Sequence, residues 1–100
     1  MGMDGFDIHE IDEVIHGRIR LGVMAFLAGA GAADFSTLKA RLQTTDGNLS
    51  THLRKLEDAG YIAVKKSFVD RKPLTEVRIT DAGRKAFAKY LDSLSRLVGG

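Results

Sequence analysis

The sequence predicts a mostly helical α+β fold, and three observations carry that reading. Apolar residues recur at three- and four-residue spacing in five separate stretches, the period of an amphipathic helix. Between residues 61 and 79 the period drops to two, around a polar tip that holds the only proline. The 100 residues fit one domain, so these segments are expected to share one core.

The elements follow in order. Residues 1–6 are expected to fray. Ile8, Ile11, Val14, Ile15 and Ile19 then recur at helical spacing, with Asp7 as N-cap and acids in the first turn, where the helix dipole favours them. Gly17 is expected to divide this run into a short acidic helix over 7–16 and a second helix over 18–29, closed by Gly29 and Gly31. Residues 32–35 read as a short extended link. Ser36 is expected to cap a helix over 37–42 that turns Leu38 and Leu42 inward. The turn Thr44-Thr45-Asp46-Gly47 opens a helix over 46–59, whose buried stripe is Leu49, Leu53 and Leu56 and whose stop is Gly60. Ile62 and Val64, then Val77 and Ile79, mark two strands of a β-hairpin with Asp70-Arg71-Lys72-Pro73 at its tip. A final helix begins at Thr80 and carries a wide apolar arc to Val98.

Charge is distributed unevenly. Residues 1–17 hold five acids and no Lys or Arg, so the remaining chain sets fifteen Lys and Arg against eight Asp and Glu. A basic body suits a polyanion, because Lys and Arg displace the counterions condensed on phosphates. The acidic start is the reverse of a secretory or mitochondrial leader. No apolar run approaches the ~20 residues that a bilayer span requires. With no cysteine, disulfides and thiolate metal sites are excluded, and a cytoplasmic location without membrane contact is the expectation.

Two short helices joined by a tight turn over 36–60 have the layout of a helix-turn-helix. Burial of Leu49, Leu53 and Leu56 turns Asn48, Ser50, Thr51, Arg54 and Lys55 outward, with Thr45 and Asp46 at the N-terminal tip. Asn pairs bidentately with adenine and Arg with guanine, while Ser and Thr reach bases or phosphates. Directly after this helix, the hairpin brings Lys65, Lys66, Arg71 and Lys72 beside one acid, Asp70. Such a wing can lie along the backbone or in a minor groove. The same lysines also suit a solvated strand edge that resists aggregation.

The stretch Asp46-Gly47-Asn48-Leu49-Ser50-Thr51-His52-Leu53-Arg54-Lys55-Leu56-Glu57-Asp58-Ala59-Gly60-Tyr61-Ile62 resembles the recognition helix and following strand of ArsR/MarR-like winged-helix regulators. Arg71-Lys72-Pro73-Leu74-Thr75, then Arg78-Ile79-Thr80-Asp81-Ala82-Gly83-Arg84, is similar to their wing and last helix. Arg18-Ile19-Arg20-Leu21 matches the opening of their first core helix. The resemblance covers about residues 8–98. It implies a winged helix-turn-helix with a two- to three-stranded wing and N- and C-terminal dimerisation helices. It further implies a cytoplasmic dimeric transcriptional regulator, chiefly a repressor, with Ser50, Thr51 and Arg54 in the major groove and Arg71 or Lys72 at the wing. The metal-ligating cysteines of many ArsR-type sensors are missing, and the long flanking helices of full MarR proteins are shortened. The sequence singles out no cofactor and no effector.

Three further readings compete. His9 with Glu13 and Asp12 with His16 stand at i, i+4 on the expected acidic helix, a spacing that can bind a divalent metal in a metal-responsive regulator but more often belongs to a solvated acidic face, so no metal site is assigned. A winged helix also serves as a protein–protein contact module, its basic surface incidental. Catalysis finds no support: Ser50, His52 and Asp58 share one helix without converging, and Gly29-Ala30-Gly31 lacks the Lys and Ser/Thr of a phosphate loop.

Ile8, Ile11 and Ile15 at one end, and Tyr90, Leu91, Leu94, Leu97 and Val98 at the other, exceed what one small core easily absorbs. Packing against symmetry mates would form an isologous homodimer interface and set two recognition helices one DNA turn, ~34 Å, apart. The alternative is that the stripes seal the protomer's own core.

Overall fold

A computed structural model describes residues 7–99. The chain runs through α1 (Arg18–Ala30), β1 (Ala32–Asp34), α2 (Phe35–Leu42), α3 (Asp46–Asp58), β2 (Ile62–Val69), β3 (Lys72–Ile79) and α4 (Asp81–Gly99). The three strands form an antiparallel sheet in the order β1-β3-β2, with Ala33 opposite Val77 and Val64 opposite Val77 on its other edge. This is a winged helix-turn-helix, mostly helical with a small open sheet. The expected fraying of residues 1–6 lies outside the described residues.

One core joins every layer. Ile19, Val23, Met24 and Leu27 of α1 meet Leu38 of α2, Leu49, Leu53 and Leu56 of α3, and Ile62, Val77 and Ile79 of the sheet. Burial of each of these aliphatic side chains contributes about 1.5–3 kcal/mol before conformational entropy is subtracted. α4 adds Tyr90, which is buried, and half-buried Ala86, Phe87, Leu94 and Leu97. Its seat depends on Gly83, where a Cβ would collide with the Tyr61 carbonyl oxygen at the start of β2. Thr80 starts α4: its Oγ1 accepts from Gly83 N at 2.9 Å and donates to the Gly60 carbonyl at 2.6 Å.

The N-terminal segment departs from expectation. In place of a helix over 7–16, a 3-10 turn at Ile8–Glu10 is followed by tight turns up to Gly17. The cause lies in its aspartates, whose short side chains compete with helical bonding. Asp7 accepts from His9 N at 2.9 Å, and Asp12 accepts from Val14 N at 2.8 Å and Ile15 N at 3.3 Å. Tyr61 and Arg20 hold the resulting arm in place. Tyr61 OH donates to Asp12 Oδ2 at 2.5 Å, and Arg20 Nε donates to the Val14 carbonyl at 2.5 Å. The arm delivers Ile11 and Ile15 into the core.

Two local features also differ. Asp34, not Ser36, caps α2, its carboxylate accepting from Thr37 N at 2.7 Å, which holds it below the usual carboxylate range. Only Asp70 and Arg71 form the tip of the hairpin, both with positive φ (52° and 67°), whereas Lys72 and Pro73 belong to β3. A two-residue connection with both centres left-handed matches the twist of the strands it joins. Pro73 lies beyond the reach of β1, so its missing N–H deprives no neighbouring strand of a bond.

Candidate nucleic-acid interface

The helix-turn-helix is built from α2 and α3. Gln43 takes a left-handed conformation at the end of α2 (φ 51°), and Thr45 then caps α3, its Oγ1 accepting from Asn48 N at 3.2 Å. Asn48 Nδ2 donates to Thr44 Oγ1 at 2.8 Å, which ties that side chain to the turn. Asp46 pairs with Lys39 of α2 at 2.8 Å, so its carboxylate beside the helix N-terminus is locally neutralised. Thr51 Oγ1 donates back to the Gly47 carbonyl at 3.0 Å, which leaves its lone pairs outward.

The hairpin returns along α3 and makes the decisive juxtaposition. An open groove of about 870 Å³ runs between them, lined by Asp46, Ser50, Thr51, Arg54 and Lys55 from the helix and by Lys66 and Thr75 from the strands. Six of the ten residues selected from sequence therefore meet on one surface. Glu57 and Asp58 close one end with negative charge, so the cations concentrate at Arg54, Lys55 and Lys66. Thr45 and Asn48 sit at the exposed N-terminal end of α3, Arg71 at the exposed tip of the wing, and exposed Lys72 at the start of β3. Thr75 and the apolar floor of Phe35 and Val64 escaped sequence reasoning. The strand register would have shown Thr75, because it stands opposite Lys66.

The winged helix DNA-binding domain family matches residues 19–98. The chain belongs to that family. Among relatives, an uncharacterized protein of Methanocaldococcus jannaschii is 36% identical over 85 residues, covering 85% of this chain and 92% of the relative. A transcriptional regulator homologue protein from Pyrococcus horikoshii OT3 is 36% identical, with a TM-score of 0.76 over 91% of this chain and 95% of that one. A MarR-family transcriptional regulator from Silicibacter pomeroyi shares the fold at 20% identity, with a TM-score of 0.61 over 87% of this chain and 60% of that one. This winged helix thus matches a DNA-binding domain family and resembles a transcriptional regulator homologue, and it shares its fold with a MarR-family regulator. Among the described residues, no helix is long and apolar enough to cross a membrane.

His16 and His52 of this winged helix point to separate partners. His16 Nδ1 is 3.0 Å from Tyr90 OH, while Asp12 is engaged by Tyr61 and by the backbone of its own turn. Without a helix over 7–16, the i, i+4 spacings there no longer bring ligands together. Among the described residues, no three metal-ligating side chains cluster. His52 lies on the half-buried flank of α3 and faces Arg20, with Nη1 to Nδ1 at 2.8 Å. Burial first, then the positive charges of Arg20 and Lys55, push its pKa down. Its place is therefore under α3, not in the groove.

The apolar stripes assigned to one interface divide. Ile11, Ile15 and Tyr90 are buried in the protomer's own core, and Leu94 and Leu97 are half-buried against it. Ile8, Leu91 and Val98 remain exposed, at 59%, 48% and 79%.

Proposed function

We propose that the protein binds double-stranded DNA sequence-specifically as a homodimer and regulates transcription, chiefly as a repressor that occludes a promoter. α3 enters the major groove and the wing, about residues 69–74, lies on the backbone or in the minor groove. One observation carries this reading: Ser50, Thr51, Arg54 and Lys55 share a single open groove with Lys66 of the wing. Arg54 reads a base edge, and Ser50 and Thr51 contact bases or phosphates from the same face. Thr45, Asp46 and Asn48 present the N-terminal end of α3, where N–H groups and the helix dipole favour a phosphate. Lys55, Lys66, Arg71 and Lys72 neutralise backbone charge.

Homodimerisation uses the apolar side chains that the protomer leaves uncovered, Leu91 and Val98 on α4 and Ile8 on the arm. Half-buried Leu94 and Leu97 extend that surface, and Ile11, Ile15 and Tyr90 support it from beneath. A two-fold arrangement sets the recognition helices about 34 Å apart, which matches an inverted repeat.

Selection of bound sites from random duplexes tests binding and half-site spacing together. An inverted repeat with half-sites one turn apart is expected, and affinity should fall by about 0.9 log units per decade of salt for each phosphate neutralised. Arg54→Ala should cost about 1–3 kcal/mol at the selected site and relax one position of the preference. Leu91→Asp with Val98→Asp should yield a folded monomer by sedimentation. Absence of binding to any duplex at low salt overturns the reading, and a monomeric wild type overturns the dimer.

A further inference from the structure

The tip of the wing carries an exposed apolar group that the backbone-and-charge account leaves unused. Phe68 is 77% exposed, Val69 beside it is 52% exposed, and Pro73 stands directly opposite Phe68 across the hairpin. Side chains alternate along a strand, so Phe68 shares its face with Ile62, Val64 and Lys66. Ile62 is buried in the core and Val64 and Lys66 line the groove against α3. Phe68 and Pro73 therefore prolong the DNA-facing side of the sheet past the last residue that the protein itself covers.

The charge around this pair selects its occupant. Lys66 shares its face, and Arg71 and Lys72 follow at the turn, against the carboxylate of Asp70, whereas Lys65 lies on the other face opposite Glu76. An aromatic ring among cations suits a cleft whose rims are anionic and whose interior is apolar. The minor groove of duplex DNA is such a cleft, about 6 Å wide, rimmed by phosphates and walled by sugars and base edges. Phe and Pro are among the side chains that wedge between base pairs there, partly unstacking a step and kinking the duplex.

Building on the DNA-binding function proposed above, we propose that Phe68, backed by Pro73, inserts into the minor groove as a wedge between base pairs while Lys66, Arg71 and Lys72 hold the phosphates on either rim. Specificity then includes a component at positions that α3 never touches. Pyrimidine–purine steps unstack readily and A-tracts resist deformation, so the wedge favours the former.

Two duplexes of equal length and composition separate this from simple backbone binding: alternating dT-dA, rich in easily kinked steps, and a dA·dT homopolymer tract. At low salt the wild-type dimer should bind the alternating duplex more tightly. Phe68→Ala should lose about tenfold on it, the scale of one base–aromatic contact, and little on the tract, with an unchanged salt slope. The chain contains no tryptophan, so Phe68→Trp supplies a single fluorophore that keeps the wedge. Its emission should be quenched by the alternating duplex and much less by the tract. Both substitutions sit on an exposed position, and an unchanged thermal midpoint verifies the fold. Steep salt dependence without discrimination between the duplexes, in wild type and Phe68→Ala alike, overturns the wedge while DNA binding stands. A loss of dimer mass in Phe68→Ala also overturns it, since Phe68 would then be a protomer contact. Failure of the wild type to bind either duplex overturns both readings.

Discussion

Arg20 of α1 and His52 of α3 meet at 2.8 Å, and through this contact α3 is joined to the N-terminal arm. Arginine is always a donor, so His52 Nδ1 accepts and the ring is neutral with its proton on Nε2. The same guanidinium donates to the carbonyls of Val14, Glu13 and His16. One side chain thus satisfies three arm carbonyls and braces α3 from beneath.

This contact makes stability sensitive to mild acid. Burial and the nearby cations lower the His52 pKa in the folded protein below its ordinary 6.5, so the unfolded chain takes up the proton more readily. The stabilisation is fully present above pH ~6.5 and is lost as pH falls through and below that value. Denaturant midpoints measured from about pH 8 to about pH 5.5 should decline, and His52→Gln, which keeps an acceptor for Arg20, should flatten that decline. An equal decline in the variant would assign the effect to other groups.

Arg20→Lys should be far from conservative. An ammonium cannot reproduce a planar fork that serves several acceptors. The loss should be about 1.5–3 kcal/mol, the scale of charged hydrogen bonds, by chemical denaturation. Limited proteolysis should then cut within residues 10–17 earlier than in wild type, as Ile11 and Ile15 lose their anchor.

Arg71 sets stability against the proposed DNA contact. Its φ of 67° is the left-handed conformation that glycine adopts without penalty. Arg71→Gly should therefore raise stability by about 1 kcal/mol. The same change should weaken all duplexes about evenly and reduce the salt slope by about one phosphate. Higher stability with unaltered affinity would remove Arg71 from the interface.

Gly83→Ala should be among the most damaging single-methyl changes. The added Cβ collides with backbone, the Tyr61 carbonyl, which cannot rotate away. Displacement of α4 should cost about 1–3 kcal/mol. Calorimetry on Gly83→Ala beside Gly29→Ala, where the added Cβ meets open space, isolates the contact from helix propensity.

The helix-turn-helix and the wing were legible in the sequence because their signals are local. Leu49, Leu53 and Leu56 have helical spacing, Thr45 precedes its helix, and Ile62, Val64, Val77 and Ile79 alternate as strands do. Facing followed from that stripe, which is why Ser50, Thr51, Arg54 and Lys55 reach one groove, while alternation along β2 puts Lys66 on the same side as Val64. The cap of α2 lies two residues before the expected one, because Asp34 and Ser36 are both good caps and only the bond to Thr37 N chooses between them.

By itself, then, the sequence determined the order of elements from Arg18 onward and the polar side of α3, since both depend on periods within a few residues. Tertiary structure alone decided the N-terminal arm. Helical periodicity from Ile8 to Ile19 is real, but the bonds that Asp12 makes to its own turn and to Tyr61, and that Arg20 makes to Val14, outweigh the marginal stability of a ten-residue helix. It also decided which apolar residues are spent inside. Ile15 and Tyr90 fill the core while Phe68, Leu91 and Val98 stay outside, because burial depends on which distant elements pack together and not on the spacing within any one of them.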